Sequence, residues 1–306
     1  MKFLATFTAA AAAIASVAGQ AAETPCDKYT TALLKTNNAT NQLTVLTLVV
    51  NTALIGNYPN PAGAPKNNVT GILNPGQVNG TGPMVNLLPY FDGTLKSTNV
   101  NGNAQSVNFL DGGGAAPLMS NMAAYANMTS SKQYMLITHL YEFFGVLLGC
   151  SAQNSSSPFK NYEGRTSMSE VHRFMNLNET EMNYFIQEVG ASATSFGVTT
   201  EDATAIGGAL NSMFNKRCLA PASIGGGANA SQSICLATSC PVADPSSCAQ
   251  TGQSYGNGTN GVEPASASTS TTGSGSSSGK DGASSMVVNV LGALSLGAAG
   301  LVAFSM

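Results

Sequence analysis

The chain has 306 residues, of which only 9% are charged, with 12 basic and 15 acidic side chains and a net charge of −3. This excludes a nucleic-acid-binding protein that works by neutralising phosphates, because such a protein needs a basic face. Hydrophobic residues make up 43% of the chain. That is enough to build a core, so a wholly disordered protein is also excluded.

The chain begins with a pattern that is typical of a secretory signal peptide. Lys2 is followed by an apolar stretch from Phe3 to Val17 and then by small residues that end in Ala18-Gly19-Gln20-Ala21. A transmembrane helix is the alternative, but the apolar run is short and rich in alanine. We therefore predict that residues 1–21 are removed as a signal peptide.

The next part of the chain, residues 22–218, is predicted to form one all-α domain. Helices are expected at 27–36, 40–55, 132–148, 167–175, from an Asn178 cap to about 193, and from a Thr199 cap to about 217. The stretch 40–55 is rich in β-branched residues, so a strand is the alternative there. Residues 56–130 are rich in Gly, Asn and Pro, which predicts long loops with little regular structure.

Beyond the expected signal peptide there are only two histidines, His139 and His172. Helical spacing places each within an apolar stripe, so both imidazoles are expected to point into the interior. A hydrogen-bonded core histidine is the alternative for either residue. Together, however, they suggest iron or haem ligands in a pocket of Phe, Leu, Met and Val side chains. The stripe residues nearest to them are Leu136, Leu140, Phe143, Met168, Val171 and Met175.

From Leu219 onward the composition turns to Ala, Ser, Gly and Thr. This indicates a disordered, O-glycosylated stalk over residues 219–277. The last 21 residues, 286–306, form an uncharged apolar tail, preceded by a short polar spacer and by small residues. That order is typical of a signal for attachment to a glycosylphosphatidylinositol (GPI) lipid, with a single-pass helix as the alternative. We predict that 278–306 is the propeptide and that only the lipid contacts the membrane.

Glycosylation sequons and cysteines agree with export from the cell. Eight Asn-x-Ser/Thr sequons begin at Asn38, Asn68, Asn79, Asn127, Asn154, Asn178, Asn229 and Asn257, as expected of a glycoprotein. The six cysteines predict three disulfides whose pairing stays open. A zinc site is the alternative, but the cysteines after residue 217 form no Cys-x-x-Cys motif and have no nearby histidine.

Other chemistries find little support. There is no Gly-x-Ser-x-Gly elbow for a serine hydrolase and no His-Glu-x-x-His for a zinc protease. The runs of three glycines at 112–114 and 225–227 do not follow strands and are not phosphate loops. The chain has no tryptophan, and aromatic platforms are what many glycosidases use beside their paired carboxylates.

The stretch from Leu140 to Val198 resembles the truncated haemoglobins of the first group. The segment Leu140–Gly149 is similar to the distal helix of that family, which ends in Leu-Gly-Gly, although Cys150 stands in place of the last glycine. Tyr162-x-Gly164-Arg165 followed by Met168-x-x-x-His172 is similar to the family's Tyr-x-Gly-x-x-Met-x-x-x-His, with one extra residue before the methionine. Phe196-Gly197-Val198 is similar to the turn that follows.

Upstream, Leu88–Thr94 is similar to the family's aromatic segment, with Phe91 as the phenylalanine that packs on the porphyrin. Leu48–Ile55 would be the second helix. The resemblance implies a two-over-two helical, globin-like fold with loop insertions, and haem b with His172 as the proximal ligand to iron. The expected haem contacts are His172, His139, Phe91, Leu136, Leu140, Phe143, Met168 and Tyr162.

Two departures from the family bear on function. The Tyr and Gln that hold bound oxygen in many members correspond to Val50 and Leu140, which cannot donate hydrogen bonds. This speaks against oxygen storage and dioxygen-dependent removal of nitric oxide. His139 stands where some cyanobacterial members carry a second iron-binding histidine, so the resemblance implies six-coordinate, bis-histidyl haem.

We therefore expect a GPI-anchored haem-binding protein of the cell surface rather than a dedicated enzyme. It would act in electron transfer with an unknown redox partner, in redox sensing, or in binding O2, NO or CO. The alternative is a haemless, glycosylated structural or adhesive protein on a globin-like scaffold. Haem capture for nutrition is less favoured, because two strong axial ligands oppose release.

Overall fold

A computed structural model describes residues 23–57, 68–224 and 227–245. The predicted signal peptide, most of the predicted stalk and the apolar tail lie outside these residues. The described part contains seven α-helices and one two-stranded antiparallel hairpin, which confirms the all-α class. None of its helices has the length and hydropathy needed to cross a membrane.

Six of the seven helices agree with the sequence predictions to within a few residues, except that α5 and α7 end earlier than expected. The short helix α3 and the hairpin lie in the stretch 56–130, where no regular element was predicted. The strand alternative for 40–55 is wrong, because this stretch is helical throughout. The elements are α1 (Pro25–Leu34), α2 (Ala39–Ile55), β1 (Thr98–Val100), β2 (Asn103–Gln105), α3 (Ala115–Met119), α4 (Lys132–Leu148), α5 (Met168–Val171), α6 (Glu179–Ser195) and α7 (Thr200–Phe214).

Side-chain caps set the starts of the long helices. The Asn178 side chain accepts from the backbone N–H of Glu181, whose side chain accepts in turn from the N–H of Asn178, so the predicted capping box at α6 is confirmed. Thr199 caps α7 by accepting from the N–H of Asp202. The C-terminal end of α4 is set by Gly149, which adopts a left-handed conformation with a φ of 73°.

The central helix of the fold is α2, which packs against α1, α4 and α6, while α6 also packs along α7. Ten of the seventeen residues of α2 are buried, which explains why the sequence of this helix is apolar on nearly every side. A disulfide between Cys26 and Cys150 joins the first turn of α1 to the end of α4. Buried apolar side chains from α1, α2, α4, α6 and α7 together form one hydrophobic core.

Between α2 and α4, the described residues 68–131 are mostly irregular, as predicted, and one buried amide organises part of this stretch. Gln133, in the first turn of α4, is fully buried. Its side chain accepts from the N–H groups of Gly112 and Gly114 and donates to the carbonyls of Gly114 and Ala123. Both polar atoms of this buried amide thereby have hydrogen-bond partners, and these bonds hold the loop around Gly112–Gly114 on α4.

The folded part continues beyond Cys218, where the sequence predicts a stalk. Cys235, Leu236 and Cys240 are buried, and the N–H groups of residues 236 and 237 donate to the carbonyl of Leu177. We call residues 230–243 the C-terminal clasp. The prediction of a stalk from 219 fails here, because backbone hydrogen bonds and a few buried side chains hold the segment against the helices although its composition is mostly small and polar.

The described cysteines are all in disulfides. Besides Cys26–Cys150, the structure contains Cys235–Cys240, and Cys218 is disulfide-bonded as well. A disulfide sulfur is no longer a thiolate, so these five residues form no zinc site.

Candidate functional site

His172 lies at the end of α5 and is half-buried. Its Nδ1 is 2.8 Å from the carbonyl oxygen of Met168, one helical turn earlier. Since a carbonyl can only accept, Nδ1 carries the proton and Nε2 carries the lone pair. No other hydrogen bond of the imidazole is found within the described ranges. A histidine held through Nδ1 with a free Nε2 is the arrangement that orients axial and metal-binding imidazoles.

The protonation state of His172 also suits a ligand. Burial lowers the pKa of its imidazole below the ordinary value, while the hydrogen bond to the Met168 carbonyl partly opposes that change. The neutral imidazole is therefore favoured at physiological pH. Only this form can offer a lone pair to a metal ion.

His139 does not point into the interior as the sequence predicts; the residue is exposed. It follows Ile137 by two positions, which is about 200° around the helix. The reason is that α4 buries another stripe, which shares only Leu147 with the expected one and consists of Gln133, Ile137, Tyr141, Phe144 and Leu147. The imidazole instead lies edge-on to the ring of Tyr162, with 5.9 Å between the centroids.

Desolvation lowers the pKa of His139, and the negative charge of Glu163 acts in the opposite direction. The residue is thus exposed as a whole, while one side of its ring is shielded by the contact with Tyr162.

The other predicted haem contacts divide into two groups. Phe143 and Tyr162 join the group around His139, with 5.3 Å between their ring centroids, and Phe143 also approaches Phe214 at 6.2 Å. Leu140 faces a separate cavity instead. Of the remaining positions, Met168 is buried, while Phe91 and Leu136 are half-buried.

The Tyr-x-Gly motif has a direct structural explanation. A side-chain carbon added at Gly164 would overlap the ring of Tyr162, so glycine makes room for the aromatic ring. The hydroxyl of Tyr162 donates to the carbonyl of Arg165 at 3.0 Å. The loop before α5 thereby holds the ring against His139 and Phe143 on the surface of α4.

Glu142 is a member of this surface group that the sequence analysis misses. It follows His139 by three positions, so both lie on the same side of α4. Burial and the nearby charge of Glu163 raise the pKa of Glu142 to about 7, and Lys160 acts against this. The spacing to His139 was the one signal in the sequence that could have identified it.

An apolar cavity of about 70 Å³ lies between α1, α2, α4, α6 and α7. Neither histidine lines it. A cavity without polar partners stays dry, and this one has room for a small apolar molecule but not for a porphyrin. Its walls include Val50, Leu140, Phe144, Val189 and Ile206.

No three His, Cys, Asp or Glu side chains in the described part of the chain lie together in a way that could hold a metal ion. Haem iron needs only one or two protein ligands, so this finding does not bear on the histidines. The chain matches no family model, no curated protein and no solved structure. The likeness to truncated haemoglobins stays a prediction from the motifs.

Proposed function

We propose that this chain is an extracellular, GPI-anchored haem-binding protein with a two-over-two globin-like fold, in which His172 is the permanent axial ligand. The observation that carries the proposal is the geometry of His172, whose Nδ1 is fixed by the Met168 carbonyl. The fold is supported by the packing of α2 with α4 and of α6 with α7. The resemblance assigns the distal side of the haem to α4 and the proximal side to α5.

The residues fit a haem b on one side better than on the other. His172 supplies a neutral imidazole on a short, well-anchored helix. His139 is exposed and lies against Tyr162, so it must leave this position to bind a buried iron. His139 therefore acts as a second, displaceable ligand rather than a permanent one.

Bound haem would supply an iron that changes oxidation state by one electron and binds diatomic molecules. By the resemblance, Val50 and Leu140 would face a diatomic ligand such as NO, CO or O2 bound to the iron. Both side chains are apolar, so they offer no hydrogen bond that would retain O2. Electron transfer to an unknown redox partner follows if His139 occupies the sixth position.

Export from the cell is supported by the covalent and surface chemistry. The structure contains disulfides, which persist in oxidising compartments. Six of the seven sequon asparagines within the described residues are exposed, so glycans can be attached there: Asn38, Asn68, Asn79, Asn127, Asn154 and Asn229. Asn178, which caps α6, is half-buried.

Titration of the secreted chain with hemin tests the proposal. We expect a sharp Soret band that saturates at one equivalent, its loss in His172→Ala, and its retention in His139→Ala. In the ferrous form, the wild-type protein should show split α and β bands when His139 is bound, and His139→Ala should not. Equal loss of the Soret band in both variants would contradict the roles assigned here.

The second candidate is a haemless, glycosylated surface protein that uses the same helices only as a scaffold. The exposure of His139 and the separation of the cavity from both histidines favour it. The absence of any Soret shift on adding hemin to the wild-type chain would establish this alternative.

A further inference from the structure

We propose that the C-terminal clasp positions His172, with Ser231 and Gln232 acting through α5. The inference rests on the proposed haem function and adds the residues that would hold the axial ligand in place. It also gives a function to a segment whose sequence looks like the start of a stalk.

The helix that carries His172 is too short to be stable by itself. α5 contains four residues, Met168–Val171, whereas isolated helices shorter than about 12–15 residues are marginal in water. The first N–H groups of any helix also lack partners within that helix. The position of α5 must therefore be set by groups outside it.

Ser231 supplies the first of these groups. Its backbone carbonyl accepts from the N–H of Ser169 at 3.2 Å and from the hydroxyl of Ser167 at 3.0 Å. Ser167 is the N-cap of α5, and its oxygen also accepts from the N–H of Glu170 at 3.2 Å. The clasp thereby contacts both the cap and the first turn of the helix.

Gln232 supplies the second group, and its own position is tightly defined. The residue is 1% exposed. Its Oε1 accepts from the N–H of Met168 at 3.4 Å, while its Nε2 lies within hydrogen-bonding distance of the carbonyls of Thr166, Ala222 and Ala230, at 2.9, 3.0 and 3.1 Å. Turning the amide over would place Oε1 against these carbonyls, so only one orientation is stable.

The link from Gln232 to His172 passes through one residue. The N–H of Met168 is held by Gln232, and the carbonyl of Met168 accepts both from His172 Nδ1 at 2.8 Å and from the backbone N–H of His172 at 3.0 Å. Movement of the first turn of α5 therefore moves the acceptor that orients the imidazole.

The clasp is in turn anchored on the long helices. The N–H groups of Ile234 and Cys235 donate to the carbonyl of Phe214 at the end of α7, at 2.9 and 3.0 Å. Arg217 donates through its side chain to the carbonyls of Thr238 and Cys240. The Cys235–Cys240 disulfide closes this turn. A rigid segment thus connects α7 to the helix that bears the histidine.

The experiment compares Gln232→Ala with Gln133→Ala in the full chain. Both glutamines are buried and make several hydrogen bonds, but none of those made by Gln133 within the described residues reaches α5. In the haem-free protein, we expect amide exchange at Met168–His172 to become about tenfold faster in Gln232→Ala, as the loss of buried hydrogen bonds predicts. Exchange there should stay unchanged in Gln133→Ala.

A second readout concerns the proposed ligand directly. In hemin-loaded protein, Gln232→Ala should release hemin about tenfold faster. In a His139→Ala background, where the ferrous iron keeps only the His172 ligand, Gln232→Ala should also shift the iron–histidine stretching frequency. Gln133→Ala should do neither. Ser167→Ala removes the cap with less loss of packing, and should change both readouts in the same direction by a smaller factor. Ser167→Ala provides the test if Gln232→Ala does not fold.

Unchanged exchange at 168–172 in both Gln232→Ala and Ser167→Ala would overturn the proposal, as would an equal increase in Gln133→Ala. A normal iron–histidine frequency for Gln232→Ala in the His139→Ala background would also overturn the assignment of Gln232 as a positioning residue. If the wild-type chain takes up no hemin, the proposed function fails, while the exchange measurement still decides whether the clasp holds α5.

Discussion

Replacing Cys26 and Cys150 with alanine should lower the free energy of unfolding far more than replacing Cys235 and Cys240. The first disulfide joins residues 124 positions apart and the second joins residues five positions apart. In the chain-entropy description, closing the longer loop removes about 5 kcal/mol of unfolded-state entropy at 25 °C, and closing the shorter loop removes about 2 kcal/mol.

The two pairs are well matched for this comparison because all four sulfur-bearing residues are buried, at 3% and 9% exposure in the first pair and 0% and 2% in the second. Truncation to alanine therefore costs similar packing in each, and the difference of about 3 kcal/mol reports the length of the closed loop. Urea unfolding of the secreted chain, followed by circular dichroism in the far ultraviolet, measures both values.

The slope of the free energy against urea should also rise when Cys26–Cys150 is removed, since the unfolded chain then exposes more surface. Equal losses in the two variants, or a larger loss for the short loop, would refute the entropic reasoning. A larger loss for the short loop would mean that its disulfide acts mainly by holding the clasp in the folded state.

Two further predictions concern the surface of α4. Gly164→Ala should displace the Tyr162 ring and abolish nuclear Overhauser effects between its protons and those of His139 in the haem-free protein; Gly208→Ala, where an added carbon meets nothing, should leave them intact. Burial raises the pKa of Glu142 to about 7 in the folded chain, so the folded state binds this proton more tightly than the unfolded state. The stability that this proton contributes is complete below the ordinary carboxyl pKa and is lost as the pH rises to about 7. As the pH rises to about 7, the free energy of unfolding of the wild type should therefore fall relative to that of Glu142→Gln, as measured by urea titrations at each pH. Parallel dependence of the two free energies on pH would contradict this.

Local patterns were sufficient to predict every helix except the short α3. The caps at Asn178 and Thr199 depend on side chains within three residues of the groups they bind, so they can be predicted without any tertiary information. The same is true of α4, whose residues 132–148 were predicted at both ends, and of the irregular stretch that precedes it.

The sequence pattern alone could not predict which way the His139 side chain points. Two overlapping apolar stripes run along α4, one through Leu140 and one through Ile137. Helical spacing alone does not say which stripe the neighbouring helix covers. Packing against α2 selected the stripe that contains Tyr141, whose hydroxyl donates to buried Asn51 at 2.6 Å. This choice left His139 on the outside.

The C-terminal clasp shows the opposite error, in which a segment that looks disordered is folded. Ser231 and Gln232 are polar, and their neighbours are small, so composition indicates a flexible chain. Their role depends on hydrogen-bond partners more than 60 positions earlier in the sequence.

Most of the helices and their caps follow from residues that are close in sequence, because those interactions are local. Which face of α4 is buried, which segment holds α5 and where the apolar cavity lies depend on contacts between distant parts of the chain. Such contacts are selected by the packing of whole helices against each other, and no short stretch of sequence contains that information.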